Sequence, residues 1–478
     1  MTDKTIAFSL LDLAPIPEGS SAREAFSHSL DLARLAEKRG YHRYWLAEHH
    51  NMTGIASAAT SVLIGYLAAN TTTLHLGSGG VMLPNHSPLV IAEQFGTLNT
   101  LYPGRIDLGL GRAPGSDQRT MMALRRHMSG DIDNFPRDVA ELVDWFDARA
   151  PNPHVRPVPG YGEKIPVWLL GSSLYSAQLA AQLGLPFAFA SHFAPDMLFQ
   201  ALHLYRSNFK PSARLEKPYA MVCINIIAAD SNRDAEFLFT SMQQAFVKLR
   251  RGETGQLPPP IQNMDQFWSP SEQYGVQQAL SMSLVGDKAK VRHGLQSILR
   301  ETDADEIMVN GQIFDHQARL HSFELAMDVK EELLADFITP VFNGDGWQSA
   351  IFFKVIIAGL QHTPEIIFRP YLRLAHIFFV HRKREDMHRH ALLPAIQRLR
   401  HQLINLFNTS IGHGIAARRN AVSVNHNEIT GVAVCPIVSI RVTNIKCQMI
   451  AAVWVKQLFV GGIKTFRAFT IPLFVFWP

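Results

Sequence analysis

Residues 44–50 read YWLAEHH, an apolar run that stops at a carboxylic acid and two imidazoles. Such a run suits a buried parallel strand whose C-terminal end opens into a site. His49 and His50 are adjacent, so on an extended strand they point to opposite faces, and at most one reaches easily into a barrel mouth. Histidine is the side chain suited to moving protons near neutral pH. The alternative is a histidine pair that caps a strand, with Glu48 setting strand-end structure. A second cluster is LHLGSGGVMLPNHSP (74–88), with three glycines around Ser78. Glycine weakens strand interiors, so its use here is to bring backbone close to a flat ligand or to form a bulge at a barrel rim.

Two further segments carry oxyanion chemistry. In RIDLGLGRAPGSDQ (105–118), Arg112 sits among Gly109, Gly111 and Gly115. A guanidinium beside flexible backbone suits a phosphate, or else a surface ion pair. The segment is not a dinucleotide fingerprint: Pro114 takes the place of the third glycine, and no ribose-binding acid follows at the right distance. In LLGSSLYSAQLAAQLG (169–184), Ser172, Ser173 and Ser176 stand at a helix entrance. They read as an anion site or as simple N-caps. Arg137, at the start of the preceding helix, offers a second positive charge. His192, in ASHFAP, lines a substrate pocket or serves structure.

Eight candidate strands position these groups: Ile6–Leu11, Tyr44–Ala47, Leu74–Leu83, Ile106–Leu110, Val167–Leu170, Phe187–Ala190, Met221–Ala228 and Glu306–Asn310. Helical patterns lie between them. AREAFSHSLDLARLAEKRG stops at Gly40, PRDVAELVDWFDAR starts at Pro136, and LYSAQLAAQLG stops at Gly184. Alternation with near-continuous apolar strands implies a parallel sheet, and eight units favour a closed (β/α)8 TIM barrel. Residues 230–304 are too long for one connection and predict an insertion before the last strand, a helix pair with a mobile loop.

The barrel accounts for residues 1–335 of 478, with 29 Lys and Arg against 35 Asp and Glu; residues 336–478 hold 16 against 6. The extension has no strand–helix alternation. It reads as a second small domain, a basic tail, or sequence not shaped by folding, such as readthrough. Its run HRKREDMHRH has no aromatic residues interleaved, which argues against nucleic acid. Cys223, Cys435 and Cys447 form no CxxC and no metal spacing, which fits a reducing, cytoplasmic setting. No secretory pattern and no membrane-spanning run is evident. No metal site is expected, because there is no HExxH and the tail histidines lack a coherent set of ligands.

Taken in order, YWLAEHHN, LGSGGVMLP, YPGRIDLGLGRAPG, IPVWLLGSSLYSAQLAAQLGLPFAFASHFAP and DEIMVNG resemble the bacterial luciferase-like flavin-dependent monooxygenase family. The resemblance covers the barrel and not the tail. It implies reduced FMN bound at the C-terminal ends of the strands. His49 falls at a catalytic histidine and His50 matches beside it. Gly79 and Gly80, next to Ser78, fall at a non-prolyl cis peptide against the flavin ring. Arg112 matches a phosphate-binding arginine and Arg137 a second one, with Ser173 and Ser176 as hydroxyls on the same phosphate. Ser172 stands where luciferase has an acid, and Gly111 where it has a reactive cysteine, so light emission and aldehyde oxidation are not implied. The resemblance also implies FMNH2 delivered by a separate flavin reductase. O2 then adds at the flavin C4a carbon to give a peroxyflavin that attacks a small organic substrate. A homo-oligomer goes with it. Two alternatives remain: an F420-dependent oxidoreductase on the same barrel, and a flavin-binding protein without turnover.

Overall fold

The computed structural model describes residues 6–113, 118–124, 134–149 and 154–338. The basic extension lies, past Ile338, outside the described residues, as do Cys435 and Cys447. Strands and helices alternate: β1 (Ala7–Asp12), α1 (Ala22–Arg39), β2 (Arg43–Leu46), α2 (Thr60–Ala68), β3 (His75–Met82), α3 (Pro88–Leu101), β4 (Ile106–Gly111), α4 (Gln118–Leu124) and α5 (Phe135–Phe146). Then come β5 (Val167–Gly171), α6 (Leu174–Leu183), β6 (Phe187–Phe189), α7 (Leu198–Ser207), β7 (Ala220–Ala228), α8 (Asn232–Arg250), α9 (Pro270–Ala279), β8 (Ser283–Gly286), α10 (Lys288–Thr302), β9 (Glu306–Asn310) and α11 (His316–Ile338).

Local chemistry sets these boundaries. Ser21 and Glu24 form a capping box at the start of α1, and Gly40 ends it with φ 77°. Gly184 ends α6 in the same left-handed conformation, at φ 62°. Pro136 sits in the first turn of α5, where its missing N–H costs nothing, and Val139, Leu142 and Phe146 face the core.

All strand pairs are parallel. The ring runs β1, β2, β3, β4, β5, β6, β7, β9 and back to β1, a closed eight-stranded barrel. Each of the eight expected strands is present. A ninth, β8, was not anticipated. It pairs with the C-terminal half of β7, Asn225 opposite Ser283 through Ala228 opposite Gly286. Asn225 also pairs with Asn310 of β9, so β8 lies on the β6 edge, beyond the point where three-residue β6 ends. The insertion is therefore three helices and a strand rather than a helix pair. Ser283–Gly286 escaped notice because it is only four residues, mostly half-buried, with no apolar run.

The larger core lies between the barrel wall and its helices, around Phe8, Tyr44, Phe95, Phe146, Phe187 and Ile307. A smaller core fills the barrel itself: Leu11, Trp45, Trp168, Ala188, Met221, Cys223 and Met308. Below it the barrel is closed by charge. Arg43 bonds Asp107 at 2.7 Å and Glu306 at 3.0 Å, and its guanidinium lies 4.9 Å from the Trp168 ring. Ser9 and Tyr219 also donate to Glu306, and Trp45 Nε1 donates to Asp107. Residues at i and i+2 along each strand, such as Arg43 and Trp45 or Asp107 and Gly109, thus form stacked interior layers.

Candidate active site

The C-terminal ends of β2, β3, β4 and β5 gather most of the groups singled out above. Strand β2 ends at Leu46, so Glu48, His49 and His50 lie in the loop beyond it. The His49 backbone N–H donates to Ser57 O at 3.2 Å. Its ring is largely enclosed, and among the described residues Nδ1 has no hydrogen-bond partner. Burial lowers its pKa, opposed by the Glu48 charge and reinforced by His50. From the far wall, after β6, His192 also presents a buried Nδ1 without a partner. Burial first, and His49 second, push His192 down to about 3. Both imidazoles are therefore neutral at physiological pH. The His192 carbonyl accepts from Asn225 Nδ2 at 2.7 Å, and the same nitrogen reaches Ser283 Oγ at 3.0 Å.

His50 faces elsewhere. Its Nε2 lies 2.8 Å from Glu48 Oε1, and His86 Nε2 lies 2.7 Å from the same oxygen. Glu48 Oε2 accepts the Met82 N–H at 3.1 Å. Burial alone would raise the Glu48 pKa, but the bonds from His50, His86 and Met82 bring it down to about 2. Glu48 is thus an occupied carboxylate rather than an acid or base. The ligand atoms of Glu48, His50 and His86 lie within 4.8 Å of one another, a grouping that could hold a metal ion. The sequence reading expected no metal site and did not bring His86 into this cluster.

Strand β3 shows the bulge expected of its glycines, together with a cis peptide. The Gly79–Gly80 peptide is cis, and the pairing with β4 shifts register between Ser78 and Val81. A Cβ on Gly80 would lie 2.8 Å from Gly109 O, and one on Gly79 would lie 2.7 Å from Leu11 Cδ1. Ser78 is a wall residue: its hydroxyl donates to Gly109 O at 2.9 Å and accepts the Gly109 N–H at 3.0 Å.

Arg112 follows β4 directly. Its guanidinium stacks 4.0 Å from the Tyr175 ring in the first turn of α6 and makes no hydrogen bond among the described residues. Ser173 is the N-cap of α6 yet makes no side-chain cap bond, and among the described residues no other side chain accepts from the first N–H groups of the helix. Ser176 is buried beneath that turn, against Gly171. Ser172 precedes the cap and is half-buried. A stacked cation, an uncapped helix N-terminus and small hydroxyls are groups that could hold an anion. Arg137 lies at the periphery: its side chain is 74% exposed and 3.8 Å from Asp138.

A cavity of about 450 Å³ opens at the other end of the barrel, beside His42, His75 and Lys330. It shares no residue with the rim groups. The chemistry assembled here is at the rim, where barrel active sites belong. Sequence reasoning missed His86, Tyr175, Asn225 and the hub role of Glu48. Only the EHH triplet hinted at the hub, and nothing in the spacing ties it to His86.

The profile of the family described as luciferase-like monooxygenase matches residues 6–306. The protein YvbT of Bacillus subtilis (strain 168) is 54% identical over 327 residues, covering 68% of this chain and 97% of that protein. The N-acetyl-S-alkylcysteine monooxygenase of the same organism is 38% identical over 253 residues, covering 52% of this chain and 75% of that enzyme. The crystal structure of apo-MsnO8 superposes with a TM-score of 0.64 at 32% identity, over 68% of this chain and 98% of that one.

Proposed function

The chain belongs to the luciferase-like monooxygenase family, and from that premise we propose that it is the oxygenase component of a two-component monooxygenase using reduced FMN. The rim residues fit that group. Among the described residues, Arg112 is a cation without a hydrogen-bond partner, the α6 N-terminus lacks a side-chain cap, and two buried ring nitrogens have no partner. Arg112, Ser173, Ser176 and the first N–H groups of α6 would hold the FMN phosphate, with Ser172 beside them and Arg137 as an outer second charge. Ser78, Gly79 and Gly80 would form the wall against the ring. When bound, reduced FMN supplies the two electrons that activate O2, one oxygen atom entering the substrate and the other leaving as water.

His49 serves as general base. Its burial keeps the ring neutral and so able to accept a proton at pH 7. His192 lines the substrate side with a second neutral ring, and His50 anchors the rim. Trp45, Leu170 and Trp168 exclude water from below. The name of the 38% identical relative supports a small thioether such as an N-acetyl-S-alkylcysteine as the first substrate to try. A flavin reductase supplies FMNH2, and the cytoplasm suits that supply. A second copy of the chain would pack on α2 and α3, where Val62, Tyr66, Val90 and Leu101 are exposed.

The observation that carries this reading is the convergence of Arg112 with the uncapped start of α6. His49→Ala should bind FMN within about threefold of wild type and lose reductase-coupled O2 consumption by about 100-fold. Unchanged product formation in that variant rejects the role of His49. Preferential binding of F420 over FMN, with hydride transfer and no O2 consumption, rejects the oxygenase reading.

A further inference from the structure

Glu48 is the most heavily bonded side chain at the end of β2. Glu48 is 2% exposed and uses both oxygens. Oε1 receives His50 and His86, and Oε2 receives the backbone of Met82, the last residue of β3. A carboxylate can only accept, so both imidazoles carry their Nε2 hydrogens toward it. One side chain therefore ties the end of β2 to the end of β3 and to the turn Leu83–Asn85 that precedes His86.

His49 stands between two residues held this way. Among the described residues its own anchors are few: a backbone bond to Ser57, and an Nδ1 with no partner. Its ring is placed by its neighbours rather than by bonds of its own. We infer that Glu48 is the positioning residue of this site: by bridging His50, His86 and the Met82 N–H, it fixes the turn bearing His49 relative to the strand end bearing Gly79 and Gly80. The inference rests on the reading of His49 as the base.

The bridge also has an electrostatic side. The charged and titratable groups acting on His49 are Glu48, which favours its protonated form, and His50, which opposes it; His192 faces it from the far wall. Removing the Glu48 charge leaves burial and His50 in command, so His49 becomes less basic. A neutral glutamine keeps the size and one acceptor oxygen, which separates charge and clamp from simple packing.

The test uses the full chain, free of flavin, with histidine-selective isotope labelling and His49→Ala to assign the His49 ring signal. In Glu48→Gln the His49 midpoint should fall by about 0.5–1 pH unit, and Glu48→Asp should restore it, because a unit charge at this range is worth that much. Reductase-coupled O2 consumption with N-acetyl-S-methylcysteine should lose about tenfold in kcat in Glu48→Gln, with KM within about threefold. The acid limb of its pH profile should move down with the His49 midpoint. His86→Gln keeps the charge and a donor, so it should leave the midpoint in place even where Glu48→Gln folds poorly. An unmoved His49 midpoint in folded Glu48→Gln overturns the inference. So does saturable binding of Zn2+ alone by wild type that Glu48→Gln abolishes, since the trio would then be a ligand set. Failure of wild type to bind FMN overturns the flavin reading instead and leaves the titration result standing.

Discussion

His192 makes stability depend on pH in a way that can be worked out in advance. In the unfolded chain its imidazole titrates at the ordinary value of 6.5; in the fold, burial chiefly and His49 secondarily hold it at about 3. The folded value lies below the unfolded one, so between them the unfolded chain binds the extra proton. The contribution of His192 is therefore fully present above the unfolded value and is lost as pH falls toward the folded value. Within that window each pH unit removes about 1.4 kcal/mol. From pH 6.5 to pH 4.5 the loss from this residue alone is about 2–3 kcal/mol, a large part of a typical domain stability. His192→Gln removes the titration. Urea unfolding of wild type and variant, measured in steps across this range, should show the wild-type advantage shrinking by that amount toward acid. Carboxylates such as Glu48, lowered to about 2, release their stability only below 4.5 and are common to both proteins. Parallel curves, agreeing to about 0.5 kcal/mol across the range, would refute the reasoning.

Gly109→Ala places a methyl 2.2 Å from Ser78 O and 2.7 Å from Leu170 Cδ1, contacts that only backbone movement relieves. It should destabilise the barrel by about 1–3 kcal/mol in the same urea assay. Arg43→Met leaves Asp107 and Glu306 charged and enclosed at the barrel base; the expected loss is about 3–5 kcal/mol, and an unchanged unfolding midpoint would contradict the network. Leu101→Glu, on the exposed face of α3, should shift light-scattering mass toward a single chain while leaving far-ultraviolet dichroism intact.

The barrel was legible because its strands are buried on both faces and read as unbroken apolar runs between helices with clear stops. Gly40, Gly184 and Pro136 each mark a boundary that the backbone then uses. Strand β8 lacks that signature: Ser283 and Leu284 are half-exposed, and its only partner is the end of β7. At the site, groups close in sequence to a strand end were found from sequence, and groups joined only through space were not. Arg112 and Ser176 are named by their strands, yet the stacking of Arg112 on Tyr175 depends on β4 and α6 being neighbours. His86 is 36 positions after His50 and meets it through one carboxylate oxygen. The interior salt network was hidden for the same reason: Arg43, Asp107 and Glu306 each look like an ordinary charged residue at the start of a strand until the ring closes.

Strand β6 stops after three residues, and β8 joins the wall only above that point. On that flank one strand hands over to another: β6 lies beside Ala220–Val222 of β7, and β8 lies beside Asn225–Ala228. Asn225 spans the seam, stitched to His192, Ser283 and Asn310. Whatever enters the mouth on that flank passes the junction of two successive wall strands, both laddered to β7, with a single amide bonded on either side of the join.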